Sequence, residues 1–231
     1  MIPKRAIFYW EGPEPSWLRR QSWETFAKLN PDWQVAIVGP DAQAKSLIPG
    51  HSRMAIAQRS DLVRYAELAN GGGYYFDTDI AFFSPMPSAW LNADVALVLY
   101  DDQTISHIGM MGAAPGSKLF EGFHEKAKQR AIEADPLGYQ SLGVTLVGDA
   151  NIRALCDNAG SRWLPLPQRA VIGVSWQTPE KAWAAPPEGH KWMPGSIGLH
   201  WYGGDHLSRE LEPTATAESL RGTVIGKALG L

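Results

Sequence analysis

One stretch decides the fold of this chain: Ser60-Asp61-Leu62-Val63-Arg64-Tyr65, and then Gly71-Gly72-Gly73-Tyr74-Tyr75-Phe76-Asp77-Thr78-Asp79. Good helix formers fill residues 57–70, and apolar side chains recur there at helical spacing, so we predict a helix. Asn70 and the three glycines that follow end this helix. The aromatic residues 74–76 favour an extended strand, which leads directly into two aspartates.

The two aspartates, Asp77 and Asp79, are two residues apart. In an extended chain such side chains point to the same side, so both carboxylates reach one point. Hard divalent cations such as Mg²⁺ and Mn²⁺ bind carboxylate oxygens and often share them with substrate phosphates. The pair therefore indicates a metal site, and the alternative is a pair of solvated aspartates in a polar turn.

Strands and helices alternate on both sides of this stretch. We predict further strands at 6–10, 33–38, 94–100, 108–113, 163–164, 170–172 and 196–202, and helices at 17–29, 41–47, 118–134, 149–158 and 216–229. The strand–helix–strand–helix order at the start of the chain is typical of an α/β sandwich with a mainly parallel central sheet flanked by helices. The absence of linkers predicts a single domain over residues 1–231.

Composition excludes few classes of protein but narrows the setting. The chain has 231 residues, 45% of them hydrophobic, which suits one globular domain. A net charge of -3 leaves no electrostatic footprint for nucleic acid. The single cysteine, Cys156, cannot form an internal disulfide, which favours the cytoplasm. No apolar run approaches the roughly 20 residues of a transmembrane helix, so we expect membrane contact to be peripheral at most.

The pattern S-D-x-x-R, a short spacer, G-G-x-Y and x-D-x-D is complete between Ser60 and Asp79. With it the chain resembles the D-x-D sugar-transferase family that holds capsular-polysaccharide glycosyltransferases and Golgi mannosyltransferases, glycosyltransferase family 32. It is also similar to the glucosyltransferase domain of the large glucosylating bacterial toxins. The resemblance implies the GT-A fold and a retaining hexosyltransferase that uses Mn²⁺ or Mg²⁺. The donor would be a nucleotide sugar, a UDP-sugar rather than a GDP-sugar, and polysaccharide biosynthesis is a fitting role.

The same resemblance assigns roles to the residues of the motif. Asp79 would bind the metal directly, while Asp77 would contact the ribose of the donor and reach the metal through water. Asp61 and Arg64 would hydrogen-bond hydroxyls of the donor sugar and so orient its anomeric carbon. Spacing alone gives Asp61 and Arg64 a simpler interpretation, an ordinary ion pair on a helix surface.

Two aromatic residues also match positions of the family. Trp10-Glu11-Gly12 corresponds to the Trp-x-Gly that the family carries at the end of its first strand, where the tryptophan stacks on the nucleotide base. Tyr75 corresponds to a tyrosine near the donor. For both residues a plain core position is the alternative, since aromatic side chains are good core material.

The late segment 198–206 is similar to the closing histidine motif of the family, which returns to the pyrophosphate and the metal. His200 is our candidate for a metal ligand beside the two carboxylates. The family usually ends this motif with Ser-Trp, whereas Asp205 and His206 occupy those places here. Asp205 and His206 therefore remain alternative ligands.

Two other classes of protein remain as hypotheses. One is a phosphatase with an aspartyl nucleophile in the D-x-D motif, with Asp101 and Asp102 as its acidic metal pair. The other is a non-catalytic module that binds sugar or metal. In a transferase, Asp101, Asp102 and His107 would face the acceptor or the donor sugar. The acceptor itself is a hydroxyl of a glycan, a lipid-linked sugar, a protein or a modified base, and the residues do not choose among these.

Overall fold

The computed structural model describes residues 1–39, 54–99, 105–133, 138–148, 152–158 and 160–231. The chain forms two compact units, and each is assembled from three stretches of sequence. The first unit contains residues 1–11, 34–76 and 87–167, and the second contains residues 12–33, 77–86 and 168–231. The predicted helix 41–47 and the first residues of the predicted helix 149–158 lie outside the described residues, as do Asp101 and Asp102.

The strands of the described residues, in chain order, are β1 (Arg5–Tyr9), β2 (Gln34–Val38), β3 (Gly73–Phe76), β4 (Ile80–Phe82), β5 (Val95–Leu99), β6 (Ile105–Ala113), β7 (Trp163–Pro167) and β8 (Gly198–His200).

The α-helices of the same residues are α1 (Trp17–Leu29), α2 (Ile56–Asn70), α3 (Lys118–Glu133), α4 (Val144–Gly148), α5 (Ile152–Asn158), α6 (Glu180–Trp183), α7 (His206–Leu211), α8 (Ala217–Leu220) and α9 (Val224–Leu229). None of the helices in the described ranges combines the length and the apolar character that crossing a bilayer requires.

The first unit is built on a six-stranded sheet with the order β2-β1-β3-β6-β5-β7. β1 runs parallel to β2 and β3, and β5 runs parallel to β7, whereas β6 is antiparallel to β3 and β5. Every residue of β5 is buried, as its unbroken apolar sequence requires in a sheet covered on both faces. The predicted α/β class with a mainly parallel central sheet flanked by helices is therefore confirmed.

The second unit contains the short antiparallel pair β4 and β8, in which Ile80 lies opposite His200. Its core includes Leu18 of α1, Trp201 after β8 and Ile225 of α9, all fully buried. This pairing brings the chain that follows the D-x-D motif beside the residues that lead up to His200.

Three sequence predictions in the second unit were wrong. Residues 168–170 form a 3₁₀ turn rather than a strand at 170–172. The expected helix 216–229 is two helices, because Thr216 caps α8 and Thr223 caps α9, with Gly222 at φ +83° between them. The expected strand 196–202 is limited to β8, and β4 was not predicted at all.

Candidate active site

A glycine turn connects α2 to β3 in the first unit. The Gly71 N–H donates to the carbonyl of Glu67 at 3.0 Å and ends the helix. Gly72 and Gly73 have φ of +63° and +112°, and a Cβ on Gly73 would lie 2.5 Å from the Arg5 carbonyl oxygen. Only glycine fits this close approach to β1. The helix therefore reverses at once into β3, which ends at Phe76, the residue before the first aspartate.

Asp61 and Arg64 form a buried ion pair on α2. The Arg64 Nη1 and Asp61 Oδ1 atoms lie 3.3 Å apart, and the two residues are only 2% and 6% exposed. The guanidinium of Arg64 lies over the ring of Tyr75, 4.4 Å from its centroid. The prediction from spacing alone, an ion pair on the helix surface, is therefore wrong, because the pair is buried. Burying two charges costs several kcal/mol per ion unless they are well paired, so this pair is not incidental.

The segment 138–143 packs against the face of α2 that carries Asp61. Gln58 Nε2 donates to the Gly138 carbonyl at 3.1 Å, and Tyr65 Oη donates to the Leu142 carbonyl at 2.8 Å. A Cβ on Gly143 would lie 2.9 Å from Asp61 Oδ2. The side chain of Asp61 is therefore confined on one side by the backbone of Gly143.

The two aromatic candidates differ in their surroundings. Trp10 is half-buried at the end of β1, where its backbone N–H donates to the Val38 carbonyl at 2.9 Å. The next residue, Glu11, accepts hydrogen bonds from Tyr9 Oη at 2.6 Å and from Arg59 Nε at 2.7 Å, which fix its carboxylate. Tyr75 is a buried core residue, 1% exposed, so its contact with Arg64 is made from within the core.

Asp77, Thr78 and Asp79 form a turn between β3 and β4 and do not continue β3 as an extended strand. Strand alternation therefore does not place the two carboxylates, which is a correction to the sequence prediction. The segment after β8 holds the turn instead. The Trp201 N–H donates to the Asp79 carbonyl at 3.0 Å, and the Gly203 N–H donates to Asp79 Oδ2 at 2.7 Å.

His200 meets both aspartates of the motif. Its Nε2 atom lies 3.0 Å from Asp79 Oδ1, and one of its ring nitrogens lies within 4.8 Å of a carboxylate oxygen of Asp77. Burial lowers the pKa of His200, but the carboxylates of Asp79 and Asp77 outweigh burial and raise it. Burial likewise raises the pKa of Asp79, but His200, Arg19 and the Gly203 N–H outweigh it and keep this carboxyl ionised.

The two alternative ligands have other positions in the second unit. The Asp205 carboxylate caps α7 by accepting a hydrogen bond from the Leu207 N–H at 3.0 Å. His206 is the exposed first residue of α7. Among the three candidates in the late segment, His200 is the one that lies against the D-x-D turn. Asp77 and His200 offer ligand atoms within 4.8 Å of each other, and carboxylates and imidazoles are ligand types that Mn²⁺ accepts.

Sequence reasoning missed a row of polar side chains on α1. Arg19 Nη1 donates to Thr78 Oγ1 at 3.3 Å, and Ser22 Oγ donates to the Ile80 carbonyl at 2.7 Å. Further along the helix, Thr25 Oγ1 accepts from the Phe82 N–H at 3.3 Å. The signal was present, because a polar residue recurs every third position on one face of a predicted helix.

Part of the chain matches a known protein family. Residues 18–97, which include the S-D-x-x-R block, the glycine turn and the D-x-D motif, match the family described as glycosyltransferase sugar-binding region containing DXD motif. No curated protein sequence matches the chain.

Among solved structures, the PaToxG glycosyltransferase is similar with 15% identity and a TM-score of 0.52, over 69% of this chain and 70% of that one. The apo form of the glycosyltransferase GlyE of Streptococcus pneumoniae TIGR4 is 9% identical over 73% of this chain and 46% of its own, with a TM-score of 0.45. A putative nucleotide-diphospho-sugar transferase of Desulfovibrio desulfuricans G20 is 13% identical over 72% and 80%, with a TM-score of 0.29. Residues 18–97 thus match the D-x-D sugar-binding region of glycosyltransferases, and the chain shares its fold with the PaToxG enzyme.

Proposed function

We propose that this protein is a metal-dependent, retaining glycosyltransferase that passes a hexose from a UDP-sugar to a hydroxyl of a saccharide or glycoconjugate. One observation carries the proposal. Asp79, which belongs to the matched region, lies 3.0 Å from His200, and a carboxylate oxygen of Asp77 lies within 4.8 Å of a ring nitrogen of the same histidine. Groups with strongly shifted pKa values of this kind cluster at functional sites, which supports the proposal.

Asp79, Asp77 and His200 would hold Mn²⁺ or Mg²⁺. When bound, the cation supplies positive charge for the diphosphate that leaves the donor sugar. The protein contributes a carboxylate of fixed orientation, because both oxygens of Asp79 have partners, one in the His200 ring and one in the Gly203 N–H.

Asp61 and Arg64 would read hydroxyls of the donor sugar and orient its anomeric carbon, a contribution of positioning rather than of acid–base chemistry. The buried pairing of the two residues and the contact of Arg64 with Tyr75 support this role, since both restrict their rotamers. Trp10, half-buried at the end of β1, offers an indole face for the nucleotide base.

The proposal treats the chain as one catalytic domain, since the polypeptide passes from the first unit to the second inside the motif, between Phe76 and Asp77. A free, buried Cys156 fits a reducing compartment, the cytoplasm. For the acceptor proton we assign no protein base: a phosphate oxygen of the departing diphosphate would take it.

Donor hydrolysis tests the proposal. A panel of UDP- and GDP-sugars is incubated with Mn²⁺, with and without EDTA, and with the wild type, Asp79→Asn and Asp205→Asn. We expect slow hydrolysis of one donor that EDTA and Asp79→Asn abolish. Asp205→Asn should retain donor hydrolysis, because asparagine also caps helices and the carboxylates of Asp77 and Asp79 are unchanged.

Other outcomes would reject the proposal. Release of phosphate from a generic monoester would favour the phosphatase hypothesis instead. A protein that hydrolyses no donor, and that gives no heat on titration with UDP and Mn²⁺, would leave the assigned site without a function.

A further inference from the structure

We infer that α1 and Glu212 position the D-x-D turn, and that the Thr78 hydroxyl is the group through which they hold it. The inference rests on the proposed function of this turn as a metal site. It assigns a task to the middle residue of the motif, which spacing arguments treat as a mere separator between two carboxylates.

Three side chains of α1 contact alternate residues of the chain that starts in the turn. Arg19 bonds Thr78, Ser22 bonds Ile80 and Thr25 bonds Phe82, so residues three apart on the helix meet residues two apart on the strand. Ser22 is fully buried and also accepts from the Ile80 N–H at 3.3 Å. The helix therefore fixes both the turn and the direction in which β4 leaves it.

Arg19 is itself held by Glu212. The Arg19 Nε donates to Glu212 Oε1 at 2.8 Å, and Nη2 pairs with Oε2, which makes a two-point contact. Ser16 Oγ donates to Oε1 at 3.0 Å, and the side chains of Arg19 and Glu212 are 14% and 10% exposed. Two-point arginine–carboxylate pairs fix geometry as well as charge. Glu212 therefore holds the guanidinium in the orientation from which it contacts the turn.

The guanidinium also supports the other partner of Asp79. A Cβ on Gly203 would overlap with the guanidinium of Arg19, so the two are in direct contact. The Gly203 N–H is the group that donates to Asp79 Oδ2. Arg19 thus contacts Thr78 on one side of Asp79 and Gly203 on the other. Rotation of the Thr78 peptide would turn both carboxylates of the motif, and these contacts oppose it.

The test compares Thr78→Val with Thr78→Ser. Valine keeps the shape of threonine and loses the hydroxyl, whereas serine keeps the hydroxyl, and neither changes any charge. The Mn²⁺ dissociation constant is measured by electron paramagnetic resonance of free Mn²⁺. The kcat and KM of donor hydrolysis are measured beside it, at a temperature far below unfolding. We expect Thr78→Val to lose about tenfold in Mn²⁺ affinity and in kcat, the scale of one hydrogen bond to a charged group. Thr78→Ser should stay within about twofold of the wild type.

A folded Thr78→Val protein with the Mn²⁺ affinity and kcat of the wild type would overturn the inference, because the bond would then serve folding alone. If Thr78→Val does not fold, the same measurements are made on Ser22→Ala, which removes the hydrogen bond from α1 to the Ile80 carbonyl. Arg20→Met is the control, since Arg20 is on the same helix but bonds Glu14 and the Pro15 carbonyl. Failure of the wild type to bind Mn²⁺ or to hydrolyse any donor would instead reject the proposed function.

Discussion

The Nε2 atom of His200 lies 3.0 Å from the Oδ1 atom of Asp79, and both residues are buried. Antiparallel pairing of β4 with β8 creates this contact, since Ile80, the neighbour of Asp79, lies opposite His200. Without a cation, each group is the main partner of the other's charge. Any cation held by Asp79 must therefore share this carboxylate with the imidazole or displace its proton.

The contact predicts which histidine matters for metal binding. We expect His200→Gln to weaken Mn²⁺ binding by at least about 10–100-fold, the loss that follows even when an outer-shell partner of a metal ligand is removed. His206→Gln is the matched control, because His206 is exposed on the first turn of α7 and should bind Mn²⁺ as the wild type does. Titration followed by calorimetry measures both. Equal affinities for the two variants would remove His200 from the ligand set.

The same pair predicts a pH dependence of stability. The pKa of His200 is raised above its ordinary 6.5. The contribution of His200 to the free energy of unfolding is therefore complete below about pH 6.5 and is lost as the pH rises through the folded-state pKa. The pKa of Asp79 is lowered from 3.8, so its contribution is present above that value and is lost as the pH falls through the folded-state pKa. Together the pair stabilises the fold most between these limits.

Melting temperatures of the metal-free wild type and of His200→Gln, recorded from pH 4.5 to pH 9, test this expectation. Their difference should be greatest near pH 5–6 and should shrink towards alkaline pH, because only the wild type loses a proton from this pair. His124 and His190, whose pKa values are lowered, titrate in both proteins and cancel in the difference. A difference that does not vary with pH would show that His200 has the same pKa in the folded and unfolded states, which would contradict the raised value.

Elements with local signals were predicted well. Helix α1 has the predicted bounds, because Ser16 caps it by accepting from the Arg19 N–H at 3.0 Å and Asn30-Pro31 ends it. The end of α2 at the glycines was predicted for the same reason. The break of the last helix at Gly222 had local signals as well, in Gly222 and Thr223, but the apolar periodicity on both sides concealed it.

The residues proposed for the candidate site come from sequence motifs and remain predictions, whereas the geometry around them could not be predicted. Asp77, Asp79 and His200 were found through motifs, whereas the turn that joins them depends on hydrogen bonds from Trp201 and Gly203. Arg19 and Glu212 are separated by 193 positions in the sequence, and no local pattern connects them. Contacts of this kind depend on how the chain packs, which periodicity and spacing do not encode.

Burial of the Asp61–Arg64 pair predicts strong energetic coupling. Arg64→Met leaves a buried carboxylate without its partner, so we expect a loss of about 3–5 kcal/mol in the free energy of unfolding. Adding Asp61→Asn to Arg64→Met should cost less than the sum of the two single changes. Chemical denaturation of the four proteins gives this coupling energy. Lys118→Met is the control, since Lys118 and Glu121 have the same spacing on exposed helix surface and should cost below about 1 kcal/mol. Additive effects at Asp61 and Arg64 would contradict the buried pair.

The confinement of Asp61 by Gly143 predicts a functional effect of one methyl group. A Cβ there would lie 2.6 Å from Ile108 Cδ1 and 2.9 Å from Asp61 Oδ2, distances that real structures do not tolerate. We expect Gly143→Ala to displace the carboxylate of Asp61, to raise the KM for the donor sugar, and to cost about 1–3 kcal/mol in stability. Gly122→Ala is the matched control, because a Cβ at that exposed position of α3 meets nothing within 4 Å and alanine favours the helix by about 1 kcal/mol.

Donor hydrolysis and thermal melting measure both variants. If Gly143→Ala lowers the melting temperature but leaves the donor KM unchanged, the position of Asp61 does not govern donor binding, and its role is confined to the buried pair with Arg64.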